Sequence, residues 1–104
     1  MTVLHPKKKI ELIIEKPALR RACRIFEDSG VTGYTYLPVL GGYGKNRRWQ
    51  RGTDISATRD MVMIISITDA ETCEEVVKTL GNLIGSHIGV LNVSDTEVLR
   101  KDKF

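Results

Sequence analysis

DMVMIISIT (residues 60–68) is the stretch on which the fold turns. Met61, Met63, Ile65 and Ile67 alternate with Val62, Ile64 and Ser66, which is the period-2 pattern of a strand with both alternating sets largely apolar. The segment is therefore expected at the centre of a sheet, covered on at least one face. Directly after it, Asp69 stands where a helix N-cap is needed, with Thr68 and Glu71 as an alternative capping box. Cys73, Val76, Val77, Leu80 and Ile84 then recur at helical spacing until Gly85, so a helix is predicted up to that glycine.

Working outward from this pair, KIELIIE (9–15) is rich in β-branched residues and stops at Lys16-Pro17, where proline suits the first turn of a helix. Leu19, Ala22, Cys23 and Phe26 follow at three- and four-residue steps, and Ser29-Gly30 offers a residue able to take positive φ at the helix end. GYTYLPV (33–39) is β-prone, but Pro38 cannot donate to a ladder and argues for an edge or a strand end. On the far side, GVLNVS (89–94) reads as a final strand and TEVLR (96–100) as a short extension or edge strand. The order is βαββαβ: an α+β, ferredoxin-like single domain over 1–104, its antiparallel sheet carrying two helices on one face. The other face would leave a broad apolar surface in water, and packing the sheets of three copies together is one way to cover it.

Between the second and third strands lies a basic, glycine-rich loop (40–58), longer than most connections in compact domains. Gly41-Gly42-Tyr43-Gly44-Lys45 could let backbone N–H groups approach a phosphate closely, although the spacing is not that of a Walker A loop and such a cluster also serves as a flexible turn. Arg47, Arg48, Trp49 and Arg51 read either as a docking surface, with arginine forks and an indole anchor, or as a solvated loop.

The chain has 104 residues, 41% hydrophobic and 28% charged, with a formal net charge of +3. That places it among ordinary globular domains, and its sign suits nucleic acid, anionic lipid or phosphorylated small molecules without choosing among them. No apolar run is long enough to span a membrane and no export signal is evident. Cys23 and Cys73 fall on helical apolar patterns and read as small buried hydrophobes, which fits a cytoplasmic setting. His5 and His87 lack partners at metal-ligand spacing. Asp69, Glu71, Glu74 and Glu75 sit where a helix dipole favours carboxylates, and no nucleophile, base and orienting group can be assembled, so an enzyme is not expected. A competing reading is an RNA-binding ferredoxin-like domain using the basic loop; against it, residues 9–15 and 60–68 carry no aromatic ring on which a base could stack.

KKIELIIEKP (8–17), GVTGYTYLPV (30–39), a GGYG-led loop ending in RGTD (51–54), GVLNV (89–93) and EVLR (97–100) appear in an order that resembles the PII signal-transduction superfamily. GGYGKNRR (41–48) and IGVLNV (88–93) look closest to the PII-like branch associated with carboxysomes and bicarbonate uptake. The resemblance implies a homotrimer that holds an adenine nucleotide in each of its clefts and reports inorganic-carbon or energy status to a bicarbonate transporter or other carbon-metabolism protein. It places base contacts at Tyr34, Thr35 and Ile65, phosphate-facing glycines at Gly42 and Gly44, and phosphate-loop side chains at Lys45 and Asn46. Backbone contacts to adenine fall on Gly89, Val90 and Leu91, and a C-terminal phosphate cation falls on Arg100. Bicarbonate, as a second ligand, would meet Arg47, Arg51 or Arg59. The family's second C-terminal arginine falls near Asp102, which favours ADP or AMP over ATP, and the loop tyrosine modified in some nitrogen-regulatory members falls near Ile55. No further cofactor and no nucleic acid are implied. The expected mechanism is an order–disorder change of the loop on nucleotide binding.

Overall fold

A computed structural model describes residues 2–44, 47–50, 60–100, 102 and 104. Strand β1 spans His5–Glu15, and a 3-10 turn at Lys16–Ala18 with Pro17 in its first positions leads into helix α1, Leu19–Asp28. Strand β2 is Thr35–Val39, β3 is Gly41–Gly44, β4 is Arg47–Gln50 and β5 is Met61–Thr68. Helix α2 covers Ala70–Ile84 and β6 covers Gly89–Val98. The main sheet is antiparallel in the order β2-β5-β1-β6, while β3 and β4 pair only with each other as a second, two-stranded sheet. The α+β ferredoxin-like arrangement is therefore present, with a hairpin added between its second and third main strands.

The helix ends follow from local chemistry. Asp69, rather than Thr68, caps α2: its Oδ1 accepts the Thr72 N–H at 2.7 Å, and that bond holds the carboxyl below the usual aspartate range. Thr68 is instead buried in the sheet. At the end of α1, Gly30 takes φ +88°, the Gly30 N–H donates to the Glu27 carbonyl and the Val31 N–H donates to the Phe26 carbonyl. This is the Schellman closure, and both Val31 and Phe26 lie in or against the core.

One face of the sheet meets both helices. Ile10, Leu12 and Ile14 of β1 with Val62 and Ile64 of β5 pack against Ala18, Ala22 and Phe26 on one side of the chain's first crossover and Cys73, Val76, Leu80 and Leu83 of α2. The sequence pattern left open which alternating set of β5 turns inward. The inner set proves to be Val62, Ile64, Ser66 and Thr68, and the bulkier apolar set Met61, Met63, Ile65 and Ile67 is left half-buried on the opposite face. Ser66 is accommodated inside because its hydroxyl donates to the Gly33 carbonyl at 2.7 Å.

Two expectations are revised. Strand β1 starts at His5, not Lys9, because its polar half pairs with the polar half of β6, including a Lys8–Asp95 ion pair at 2.5 Å. GVLNVS and the first three residues of TEVLR form one continuous strand ending at Val98, so that segment is the extension the sequence offered, with Leu99 and Arg100 beyond it. Residues 41–50, read as structureless loop, form the β3–β4 hairpin apart from the two residues outside the described set.

Candidate functional site

At one end of the main sheet, β1 and β2 finish and β5 and β6 begin. The end of β1 ties the neighbouring connections to this place. The Lys16 N–H donates to the Asp60 carbonyl at 2.8 Å and the Glu15 N–H to the Ile88 carbonyl at 3.2 Å. Glu15 Oε1 lies 2.8 Å from His87 Nδ1 and accepts the Ile88 N–H at 3.4 Å. His87, which had no assigned role in the sequence, thus fixes the turn that precedes β6. The long connection leaves at Leu40 and returns at Asp60 beside that turn, so the glycines of β3 and Gly89 of β6 belong to the same end of the molecule.

Thr35 and Ile65 are register partners on adjacent strands and face the open side of the sheet. Tyr34 does not join them there: its hydroxyl donates to Glu27 Oε2 and its ring lies 5.9 Å from that of Phe26, centroid to centroid. The bond to Glu27 pushes the phenol well above its ordinary pKa. The side chain of Tyr34 is committed to α1.

Gly89, Val90 and Leu91 open β6 on the opposite edge of the sheet. A Cβ on Gly89 would fall 3.1 Å from the Ile13 carbonyl oxygen, so this strand start is held close to β1. Leu91 turns inward against the core and Val90 outward. Between β2 and β6 lie β5 and β1, so the two groups of expected base contacts are three strand spacings apart, roughly 14 Å. Arg100 lies past the far end of β6, roughly 30 Å along the strand from Gly89. One chain brings Thr35 to Ile65 and Gly89 to Leu91, but does not bring these groups to each other or to Arg100.

The hairpin has its own geometry. Gly42 is in register with Trp49, and a Cβ on Gly42 would lie 2.8 Å from Trp49 Cζ2 and 3.1 Å from Nε1, so the indole lies across the glycine. A Cβ on Gly41 would fall 2.6 Å from the Trp49 carbonyl oxygen, whereas Gly44 has open space around it. Trp49, expected as an exposed anchor, is half-buried, while Tyr43 on the opposite face of the hairpin is 70% exposed. Lys45, Asn46, Arg51 and Arg59 lie outside the described residues, and of Arg47 only the backbone is described.

The open face of the sheet carries one row of apolar side chains that crosses all four strands: Leu37, Met63, Ile13 and Val90 are successive register partners. Leu37 is 39% and Val90 61% exposed. Beside it runs the row Thr35, Ile65, Glu11 and Asn92, in which Glu11 pairs with Lys9 at 3.3 Å. Among the described residues this face holds no Phe, Tyr or Trp ring. An open groove of about 670 Å³ lies at the other end of the sheet, between Pro6, Lys7, Lys8, Ala70, Asp95, Thr96 and Glu97. It includes none of the expected site residues.

A family model described as "Nitrogen regulatory protein P-II" matches residues 7–103. No curated protein matches the chain. Among solved structures, the chain is 28% identical to CPII, a nitrogen regulatory PII-like protein from Thiomonas intermedia K12 bound to ADP, AMP and bicarbonate, with a TM-score of 0.88 over 100% of this chain and 98% of that one. The fold is shared with a PII-like signaling protein from Thermus thermophilus, at 19% identity, TM-score 0.79 and 97% coverage of both chains. It is also shared with the GlnK–ATP complex of B. subtilis, at 15% identity, TM-score 0.63 and coverage of 88% and 82%.

Proposed function

The chain belongs to the nitrogen regulatory protein P-II family, and from that premise we propose that it is a regulatory sensor that binds ADP or AMP in clefts between the subunits of a homotrimer. Bicarbonate is its second ligand, and the connection 40–58 carries the signal of inorganic-carbon or energy status to a protein partner. The observation that carries this reading is the division of the expected contacts between the two edges of one sheet. Thr35 and Ile65 of one subunit and Gly89 to Leu91 of another can meet one nucleotide only if β2 of the first lies against β6 of the second. The apolar row on the open face supports the same assembly, because burying it between copies removes Leu37 and Val90 from water. So does the elongated outline: 51 × 29 × 19 Å with a radius of gyration of 15.0 Å, against about 13 Å for a compact domain of this length. The likeness to CPII, which binds ADP, AMP and bicarbonate, supports the ligand set.

In this reading the hairpin brings Gly42 and Gly44, followed by Lys45 and Asn46, to the phosphates, with Arg100 from a neighbouring chain completing the cation set. Asp102 in place of a second cation leaves a shorter phosphate chain better matched than a triphosphate. Arg47, Arg51 and Arg59 supply the bicarbonate contacts. The protein's own part in signalling is to exchange one loop arrangement for another according to the ligand held.

The test is calorimetric titration of ADP into the full chain and into its Gly44→Asp variant. Because the space around Gly44 is open, the new carboxylate acts on the ligand rather than on packing, and ADP affinity is expected to fall about tenfold, equivalent to 1.4 kcal/mol. Equal affinity in the two proteins rules out the hairpin as the phosphate site.

A further inference from the structure

Strand β3, Gly41-Gly42-Tyr43-Gly44, is among the poorest of strand sequences. Three glycines contribute no side chain to pack and lose more conformational freedom than other residues when fixed. It nevertheless pairs in register with Arg47–Gln50 as a sheet of its own, with no third strand beside it among the described residues, and isolated two-stranded hairpins are marginal in water. One side chain compensates. The Trp49 indole covers its cross-strand partner Gly42 with its Cζ2, Cε2 and Nε1 atoms, and it is half-buried although its neighbours Arg48 and Gln50 are exposed. An aromatic ring laid over a cross-strand glycine is a known device for holding such a glycine in a ladder.

That contact occupies the very surface a ligand would use. A glycine admits a phosphate because nothing projects from its Cα, and at Gly42 the vacant side is filled by the indole. We propose that Trp49 is an internal latch on the signalling loop: its indole holds the hairpin in register by covering Gly42, and an anion that seats its oxygens against Gly42 and Gly44 displaces it. Two states of the loop follow, one closed by the indole and one closed by phosphate, and they exclude each other at a single residue. The ligand then both creates its phosphate contacts and removes the clamp that fixes the alternative arrangement, so the change in loop shape is coupled to occupancy rather than incidental to it. The inference rests on the proposed role of Gly42 as a phosphate-facing glycine, and the test below separates the two.

Trp49 is the sole tryptophan of the chain, so its emission reports on the latch alone. ADP is titrated into the full chain, with heat and tryptophan fluorescence followed in parallel and acrylamide quenching measured at the start and at saturation. The expected result is a saturable red shift with severalfold stronger quenching, the optical midpoint agreeing with the calorimetric Kd, and both signals lost in Gly44→Asp. A normal binding isotherm with unchanged emission and quenching, or with a blue shift, overturns the latch and leaves nucleotide binding standing. A flat isotherm removes both.

Discussion

At Gly30 the backbone decides the residue type. Its φ of +88° is one that side chains with a Cβ rarely adopt, yet a Cβ there would meet no atom within 4 Å, so substitution tests the dihedral without a steric contribution. Gly30→Ala is expected to destabilise the fold by about 1–2 kcal/mol in urea unfolding, with an unchanged m-value. The hairpin glycines separate in a different way. Gly42→Asp must push the Trp49 indole aside and Gly44→Asp need not. In the absence of ligand, only the first is therefore expected to shift tryptophan emission to the red, while both weaken ADP binding. An equal spectrum for the two variants contradicts the cross-strand contact. The side-chain contacts of Tyr34 were not legible in the sequence, because its partner Glu27 lies on a helix whose relation to it appears only when the chain is folded.

Among the elements, α2 carries the clearest titrating support. The Asp69 carboxylate accepts the Thr72 N–H and has a lowered pKa, so its contribution is present above the unfolded value of about 3.9 and is lost as pH falls through the lower folded value. Asp69→Ala is expected to cost about 1 kcal/mol at pH 7. The gap to the parent protein should close as the pH is lowered through the acidic range, as followed by thermal melts. A gap that widens with acid would contradict the cap. The strands show how far a pattern can be read. The middle of the fold was legible because β5 alternates cleanly and both helices present regular apolar steps with capping residues. The polar half of β1 was not legible, since His5 to Lys8 owe their strand conformation to partners some ninety residues away, such as Asp95 opposite Lys8. The hairpin was hidden for a related reason: β3 has almost no strand propensity of its own, and the residue that steadies it sits on β4.

For the whole molecule, the open face of the sheet is the decisive surface. Sequence alternation identified two candidate faces of β5 but could not rank them, because the polar Ser66 belongs to the set that turns inward, where the Gly33 carbonyl receives its hydroxyl. The more apolar set is on the outside, and the row Leu37, Met63, Ile13 and Val90 is the part most in need of cover. Leu37→Asp places a charge in that row at a position already 39% exposed in one chain. Circular dichroism is expected to remain that of the parent, while light scattering falls from the proposed trimer mass to monomer mass and ADP binding disappears with the proposed cleft. Retention of the assembled mass would show that the sheet is covered by some other surface. The proposed site was legible only by resemblance, since the residues assigned to it occupy opposite edges of one sheet and no spacing in a linear chain reveals which edge a second copy would meet.

The strand order also governs how the protein comes into being. β1 is synthesised first, yet the two strands that flank it, β5 and β6, come from the second half of the chain. While the ribosome is still adding the residues of α2, β1 can have only one of its neighbours, and its other edge waits with unpaired amides until Gly89–Val98 has cleared the exit tunnel. The sheet is thus closed by the last strand to be made, and a nascent chain stalled before residue 89 is left with the edge that most readily captures a stray polypeptide.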